Sequence, residues 1–135
     1  MPEPARLRVF LDSNVVFSAS RDEGSRFLDF WRLRDITPVI SQYVIGEVVR
    51  NVELPDHDAR LSALLLQTTI VSDADPRMIP ANVRLVFKDE PILAAAIAAS
   101  VDYLVTGDKS HFGHLYSKRV LGVEVINPGD FLDLY

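Results

Sequence analysis

Leu7-Arg-Val-Phe-Leu11, running directly into Asp12-Ser13-Asn14, is the stretch on which the fold turns. A short apolar run without strict alternation reads as a strand buried on both faces, the kind found inside a parallel sheet. Asp-Ser-Asn behind it reads as a turn or a helix cap, because these side chains hydrogen-bond nearby backbone. The first strand therefore ends on a carboxylate.

Working outward, the same alternation of short apolar runs and amphipathic stretches recurs. Ser25 is placed to cap a helix running to about Arg34, with Phe27, Leu28, Phe30 and Trp31 on its buried side. Pro38-Val-Ile40 reads as a second strand, and Ser41 as the cap of a helix with the stripe Val44, Ile45, Val48, Val49 and Val52. Asp56 is placed to cap a further helix through Leu65, and Thr69-Ile-Val71 reads as a third strand. Residues 72–82, with two Asp and two Pro, read as a loop. Asp89-Glu-Pro opens an alanine-rich helix from Ile92 to Ser100, its proline where the first turn tolerates one. Tyr103-Leu-Val-Thr106 is the fourth strand, closing on Gly107-Asp108, and Val123–Ile126 the fifth, ahead of a short helix near Asp130. The expectation is one α/β domain over residues 1–135, with a central parallel sheet of about five strands covered on both faces.

The bulk properties narrow the chemistry. The 135 residues contain no cysteine, which excludes disulfides and thiolate metal sites and leaves oxygen and imidazole as the available ligands; it also fits a reducing cytoplasm. Met1-Pro-Glu-Pro-Ala-Arg lacks a signal peptide's apolar run, and the longest apolar stretch, Pro91 to Ala99, is far too short to span a bilayer, so no membrane role is expected. The net charge of −5 argues against a nucleic-acid binder, yet eleven of the fourteen basic residues are arginine, the better fork for phosphate.

In open parallel sheets, functional groups collect beyond the carboxyl ends of the strands, where the strand order switches. The residues there are acidic: Asp12 after the first strand, Asp108 after the fourth, and Asp89 and Glu90 at the mouth of the helix leading into the fourth. Each has a plainer reading. Asp12 is a turn or cap residue, Asp89 an ordinary helix cap, and Thr106-Gly-Asp108 a strand-ending turn. Glu47 lies off the centre of its helix's apolar stripe, as a solvated glutamate would. Taken together, carboxylates at one sheet edge repel one another unless a cation neutralises them. Mg²⁺ or Mn²⁺, which take hard oxygen ligands and keep waters, suit such a cluster and activate water for attack on a phosphodiester. His111-Phe-Gly-His114 reads as incidental rather than as a metal pair, and Trp31 with its neighbouring Phe residues as core.

Arg8-Val-Phe-Leu-Asp-Ser-Asn-Val-Val16, Glu47, Asp89-Glu-Pro-Ile-Leu-Ala-Ala-Ala96 and Asp102-Tyr-Leu-Val-Thr-Gly-Asp-Lys109 resemble, in order, the acidic motifs of PIN-domain nucleases. The resemblance runs from the first strand to about residue 126, and its first and last motifs are the most specific. It implies a PIN-like three-layer α/β/α sandwich and catalytic or metal-binding roles for Asp12, Glu47, Asp89 and Asp108. Asn14 and Thr106 fall at polar positions that orient a carboxylate or a water. A register shifted by one selects Glu90 instead of Asp89; Asp89 is preferred because it leaves Ile92 three residues on, where the family has an apolar residue. The resemblance further implies an endoribonuclease dependent on Mg²⁺ or Mn²⁺ and acting on single-stranded RNA. It also implies the toxin role in a toxin–antitoxin pair, an antitoxin partner and a homodimer. The alternatives are a PIN-like module that binds RNA or protein without cutting and, more remotely, a phosphoacceptor receiver domain. The latter needs paired acids after the first strand, where only Asp12 stands.

Overall fold

The computed structural model describes residues 6–135, so most of the N-terminal segment read above for a signal sequence lies outside the described residues. Six strands form one sheet in the order β3-β2-β1-β4-β6-β5: β1 (Leu7–Leu11), β2 (Ile36–Ser41), β3 (Thr69–Val71), β4 (Tyr103–Val105), β5 (Arg119–Val120) and β6 (Val123–Ile126). All pairings are parallel except that of β5 with β6. The sheet thus has the expected parallel core, plus an antiparallel edge strand that the sequence reading missed. That edge is a hairpin whose two loop residues, Leu121 and Gly122, both have positive φ (47° and 87°). This conformation follows the twist of the strands, and Leu-Gly lacks the Asn-Gly or Asp-Gly pair that normally signals it.

Val9, Phe10 and Leu11 are consecutive and all fully buried, as are Leu104 and Val105 in β4. Adjacent strand residues point to opposite faces, so both faces of the sheet are covered, completing the three-layer sandwich. The covering helices are α1 (Ser13–Arg21), α2 (Asp29–Arg32), α3 (Gln42–Asn51), α4 (Pro55–Leu65), α5 (Glu90–Ala98), α6 (Lys109–Phe112) and α7 (Pro128–Leu134). Helix α1 packs on α3 and α4, while α2 and α7 meet through the rings of Phe30 and Phe131, 5.5 Å apart.

Several boundaries differ from the sequence expectation. Of the two readings of Asp12-Ser-Asn, turn or cap, the structure has the cap: Asp12 caps α1, its carboxylate accepting from the Ser13 amide. Ser25 does act as a cap, but of a 3-10 turn over Arg26–Leu28 that leads into a helix ending at Arg32. Helix α4 begins at Pro55 with Leu54 in the cap position, so Asp56 lies inside its first turn rather than capping it. Helix α5 starts at Glu90, two residues early, after a 3-10 turn over Phe87–Asp89. In α3, Val44 and Val48 are buried but Val49 is 51% exposed. Because α3 packs against α1 and α5 as well as β2, it is rotated away from the Val49 side and towards the Glu47 side.

The order of strands fixes where the site must be. β1 is central, with β2 on one side and β4 on the other, so the chain reverses direction across the sheet at the β1–β4 boundary. Leu11 is in register with Val105 there, so the residues following each strand emerge side by side.

Candidate active site

Asp12 and Thr106 are those residues. The Thr106 hydroxyl donates to Asp12 Oδ2 at 2.7 Å, and both side chains are buried, Asp12 to 3% exposure. Asn14 Nδ2 donates to the same oxygen at 3.1 Å, and the Ser13 amide to Oδ1 at 2.7 Å. Asn14 also accepts from the Gly107 amide at 2.9 Å, tying the start of α1 to the loop after β4. A Cβ on Gly107 would stand 3.1 Å from Asn14 Oδ1, a tight contact that would push the Asn14 side chain by a few tenths of an ångström. The Thr106 hydroxyl oxygen in turn accepts from the Asp108 amide at 3.1 Å. One threonine therefore positions two of the acids.

Asp108 caps α6, accepting from the His111 amide at 3.2 Å, and remains partly exposed. Asp89 occupies the cap position of α5 yet makes no cap hydrogen bond. It is only 4% exposed, and its Oδ2 has no hydrogen-bond partner. A carboxylate that merely capped its helix would bond the backbone ahead of it; this one turns away. The turn before it is held by Tyr43, whose hydroxyl donates to the Lys88 carbonyl at 2.6 Å.

Glu47 departs most from its sequence reading. It is half-buried, and its Oε1 is a second buried oxygen without a partner. Asp12, Glu47, Asp89 and Asp108 all line one open cavity of about 460 Å³, together with Ser13, Asn14 and Lys88. The four acids come from the end of β1, from α3, from the mouth of α5 and from the loop after β4. Glu90, the alternative third acid, does not line the cavity. Burial pushes the Asp12 carboxyl above its ordinary range, the nearby Asp89 adding to the rise, while bonds from Thr106 and Ser13 pull it back. Glu47 is likewise raised, chiefly by burial, with Asp12 and Asp89 adding to the rise while Ser13 and Lys88 pull it back.

His111 was set aside in the sequence as one of an incidental histidine pair, and the pair indeed does not form: His114 Nε2 instead contacts the Arg84 carbonyl at 2.6 Å. His111 itself belongs to the acidic site. Its Nδ1 lies 2.7 Å from Asp89 Oδ2 and 3.0 Å from Asp108 Oδ2. Although the first distance is short, both atoms are buried and neither is aligned for a hydrogen bond. The legible signal was the spacing from Asp108: a cap residue and the third residue of its helix share one face. Lys88, the cation at the cavity's rim, was also not singled out.

The donor set fits a hard divalent ion. Carboxylates from four elements line one cavity, those of Asp89 and Asp108 with His111 forming a closer group, and buried oxygens of Asp89 and Glu47 lack partners, a costly arrangement that a cation relieves. The molecule is thus an α/β sandwich with an acidic cavity at the switch point of its sheet. A model of the PIN domain matches residues 8–110, and the chain belongs to the PIN-domain family.

Three solved structures are similar in fold. VapBC2 from Rickettsia felis, bound to a DNA fragment from its promoter, has 17% identity and a TM-score of 0.67, with 90% of this chain and 98% of that chain covered. VapC20 of Mycobacterium tuberculosis, a toxin that cleaves the sarcin–ricin loop, has 14% identity and a TM-score of 0.52, covering 76% and 92%. The PIN-domain endonuclease Utp24 has 13% identity and a TM-score of 0.53, covering 89% and 84%. At these identities the likeness is one of fold. Comparison with curated proteins finds no significant match.

Proposed function

We propose that this protein is a divalent-metal-dependent endoribonuclease acting as the toxin of a toxin–antitoxin pair. One observation carries the reading: the partnerless, buried oxygens of Asp89 and Glu47 face a cavity that Asp12 and Asp108 also line. Asp12, Asp89 and Asp108 are the residues that would hold Mg²⁺ or Mn²⁺, with Glu47 holding a coordinated water or a second ion. When bound, the metal supplies a Lewis acid that makes water a better nucleophile and offsets charge building on the phosphodiester.

The chain's own residues do the positioning. Thr106, Asn14 and Ser13 fix both oxygens of Asp12, so its lone pairs are aimed before substrate arrives. Lys88, the cavity's cation, meets a phosphate oxygen of the bound strand. The openness of the cavity to solvent suits a single strand laid across it.

Toxin activity is a property of VapC20 and nuclease activity of Utp24; the shared fold extends both to this chain as a proposal, with single-stranded RNA as substrate, a small antitoxin as partner and the cytoplasm as location. Among the described residues, no helix is long and apolar enough to cross a membrane. A homodimer, which the family resemblance implies, belongs to the same proposal.

The test is cleavage of a labelled single-stranded RNA with Mn²⁺ or Mg²⁺, with chelator, and by Asp12→Asn. Cleavage should require metal, and the variant should lose at least about 10²-fold. An Asp12→Asn protein that folds and cuts at the wild-type rate defeats the proposal. The net negative charge favours one rival, a module that binds without cutting; absence of calorimetric heat at millimolar Mn²⁺ would support it.

A further inference from the structure

We propose that His111 is a direct metal ligand, completing with Asp89 and Asp108 a site of two carboxylates and one imidazole that prefers a transition ion such as Mn²⁺ or Co²⁺ over Mg²⁺. The inference rests on the metal-dependent reading above and names the ion class for one part of that site.

An imidazole nitrogen of His111, an oxygen of Asp89 and an oxygen of Asp108 all lie within 4.8 Å of one another. The imidazole nitrogen approaches the two oxygens to 2.7 and 3.0 Å. Neighbouring ligands of an octahedral ion, each about 2.1 Å from it, stand about 3 Å apart. The contacts therefore have the spacing of shared ligation, and the imidazole nitrogen and Asp89 Oδ2 lack hydrogen-bond alignment. With hydrogen on Nε2, Nδ1 turns a lone pair towards two carboxylates, a set that a cation among them would join. Asp89 supplies an independent observation, being 4% exposed with an unpartnered oxygen aimed at this point.

Local structure holds the imidazole in place. Asp108 caps α6 and accepts the His111 amide, so the oxygen bonded to the backbone and the oxygen facing Nδ1 belong to one carboxylate. Imidazole is a good ligand for first-row transition ions and a poor one for Mg²⁺, which keeps oxygen and water around it.

The experiment uses untagged full-length protein, metal-free at the start, and reads binding rather than activity. Calorimetry with Mn²⁺, Co²⁺ and Mg²⁺ is paired with pulsed electron paramagnetic resonance of the Mn²⁺-loaded protein, which detects a coordinated nitrogen. Wild type should show nitrogen modulation and bind Mn²⁺ at least about tenfold more tightly than Mg²⁺; His111→Ala should lose the modulation and weaken Mn²⁺ by about tenfold. His114→Ala should change neither. Mn²⁺ bound without nitrogen modulation, or with equal affinity in His111→Ala, overturns the ligand assignment. No Mn²⁺ binding at all overturns the metal-dependent reading itself and this inference with it.

Discussion

Helix α1 has a buried polar group at each end, and the two ends are built on opposite principles. At its start stands Asp12, among carboxylates that include partnerless buried oxygens. Near its end stands Ser20, fully buried against His57 of α4, with Ser20 Oγ 2.8 Å from His57 Nε2. Ser20 also donates to the Val16 carbonyl at 2.9 Å, and the His57 ring meets Phe17 edge-on, with centroids 4.8 Å apart. Neither Ser20 nor His57 has an unpaired buried atom among the described residues. A buried polar pair that is satisfied on all sides belongs to packing, as a joint between α1 and α4. Polar atoms buried without partners are costly, and their persistence marks a place where something else binds.

The contrast predicts a large response to metal at one end of the helix. A ligand present at a hundred times its dissociation constant stabilises the fold by about 2.7 kcal/mol, which for a chain of this size corresponds to roughly 8 °C in Tm. Thermal denaturation with saturating Mn²⁺ and then with chelator should show such a rise and its reversal. A Tm indifferent to both would mean that the orphaned oxygens do not bind an ion, and the two ends of α1 would no longer differ in kind.

A smaller effect of opposite sign sharpens the point. The Asp12 carboxyl is raised above its unfolded value, chiefly by burial. Its contribution to stability is therefore intact below the unfolded pKa and is lost as pH rises through the folded one. At neutral pH the ionised group works against the metal-free fold. Asp12→Asn removes the titrating charge but sets an NH2 where Thr106 and Asn14 donate, so its metal-free Tm should be lower overall yet fall less than the wild type's as pH rises from 4 to 7. The same variant should gain less from Mn²⁺ than wild type does. An equal fall in Tm with pH in both proteins would show that the Asp12 charge does not work against the metal-free fold.

This difference between the two ends was half legible in the sequence. Strand termini are written in short apolar runs, so Asp12, Thr106 and Asp108 could be placed at one sheet edge from residues alone. Asp89 could be placed at the mouth of its helix, but not its refusal to cap it, which depends on a tertiary contact. For Glu47 the helix stripe alone pointed to solvent, against the family motif, because a stripe counted along α3 assumes one buried direction. Packing on α1 and α5 buries Val44 and Val48, leaves Val49 out and brings Glu47 in. His111 was matched with His114, its partner by residue type, when its structural partner was Asp108, three residues earlier. The Ser20–His57 joint left no trace at all, since two residues 37 positions apart announce nothing until α1 and α4 pack.

The smallest effect should come from that joint. Burial lowers the pKa of His57, and the positive charges of Arg60 and Arg21 push it the same way; a backbone contact at Phe17 and the charge of Asp58 oppose them. A histidine lowered in the fold contributes stability that is present above its unfolded pKa, about 6.5, and is lost as pH falls through the folded value. His57→Gln retains an amide able to donate to Ser20 but does not titrate. Compared with wild type by denaturant unfolding at pH 7 and pH 5, the variant should lose less stability on acidification. The comparison is made without metal, so that protonation in the acidic cavity is common to both proteins. Equal losses would show that His57 is already free to take up a proton in the fold, and the joint between α1 and α4 would then be looser than its hydrogen bonds indicate.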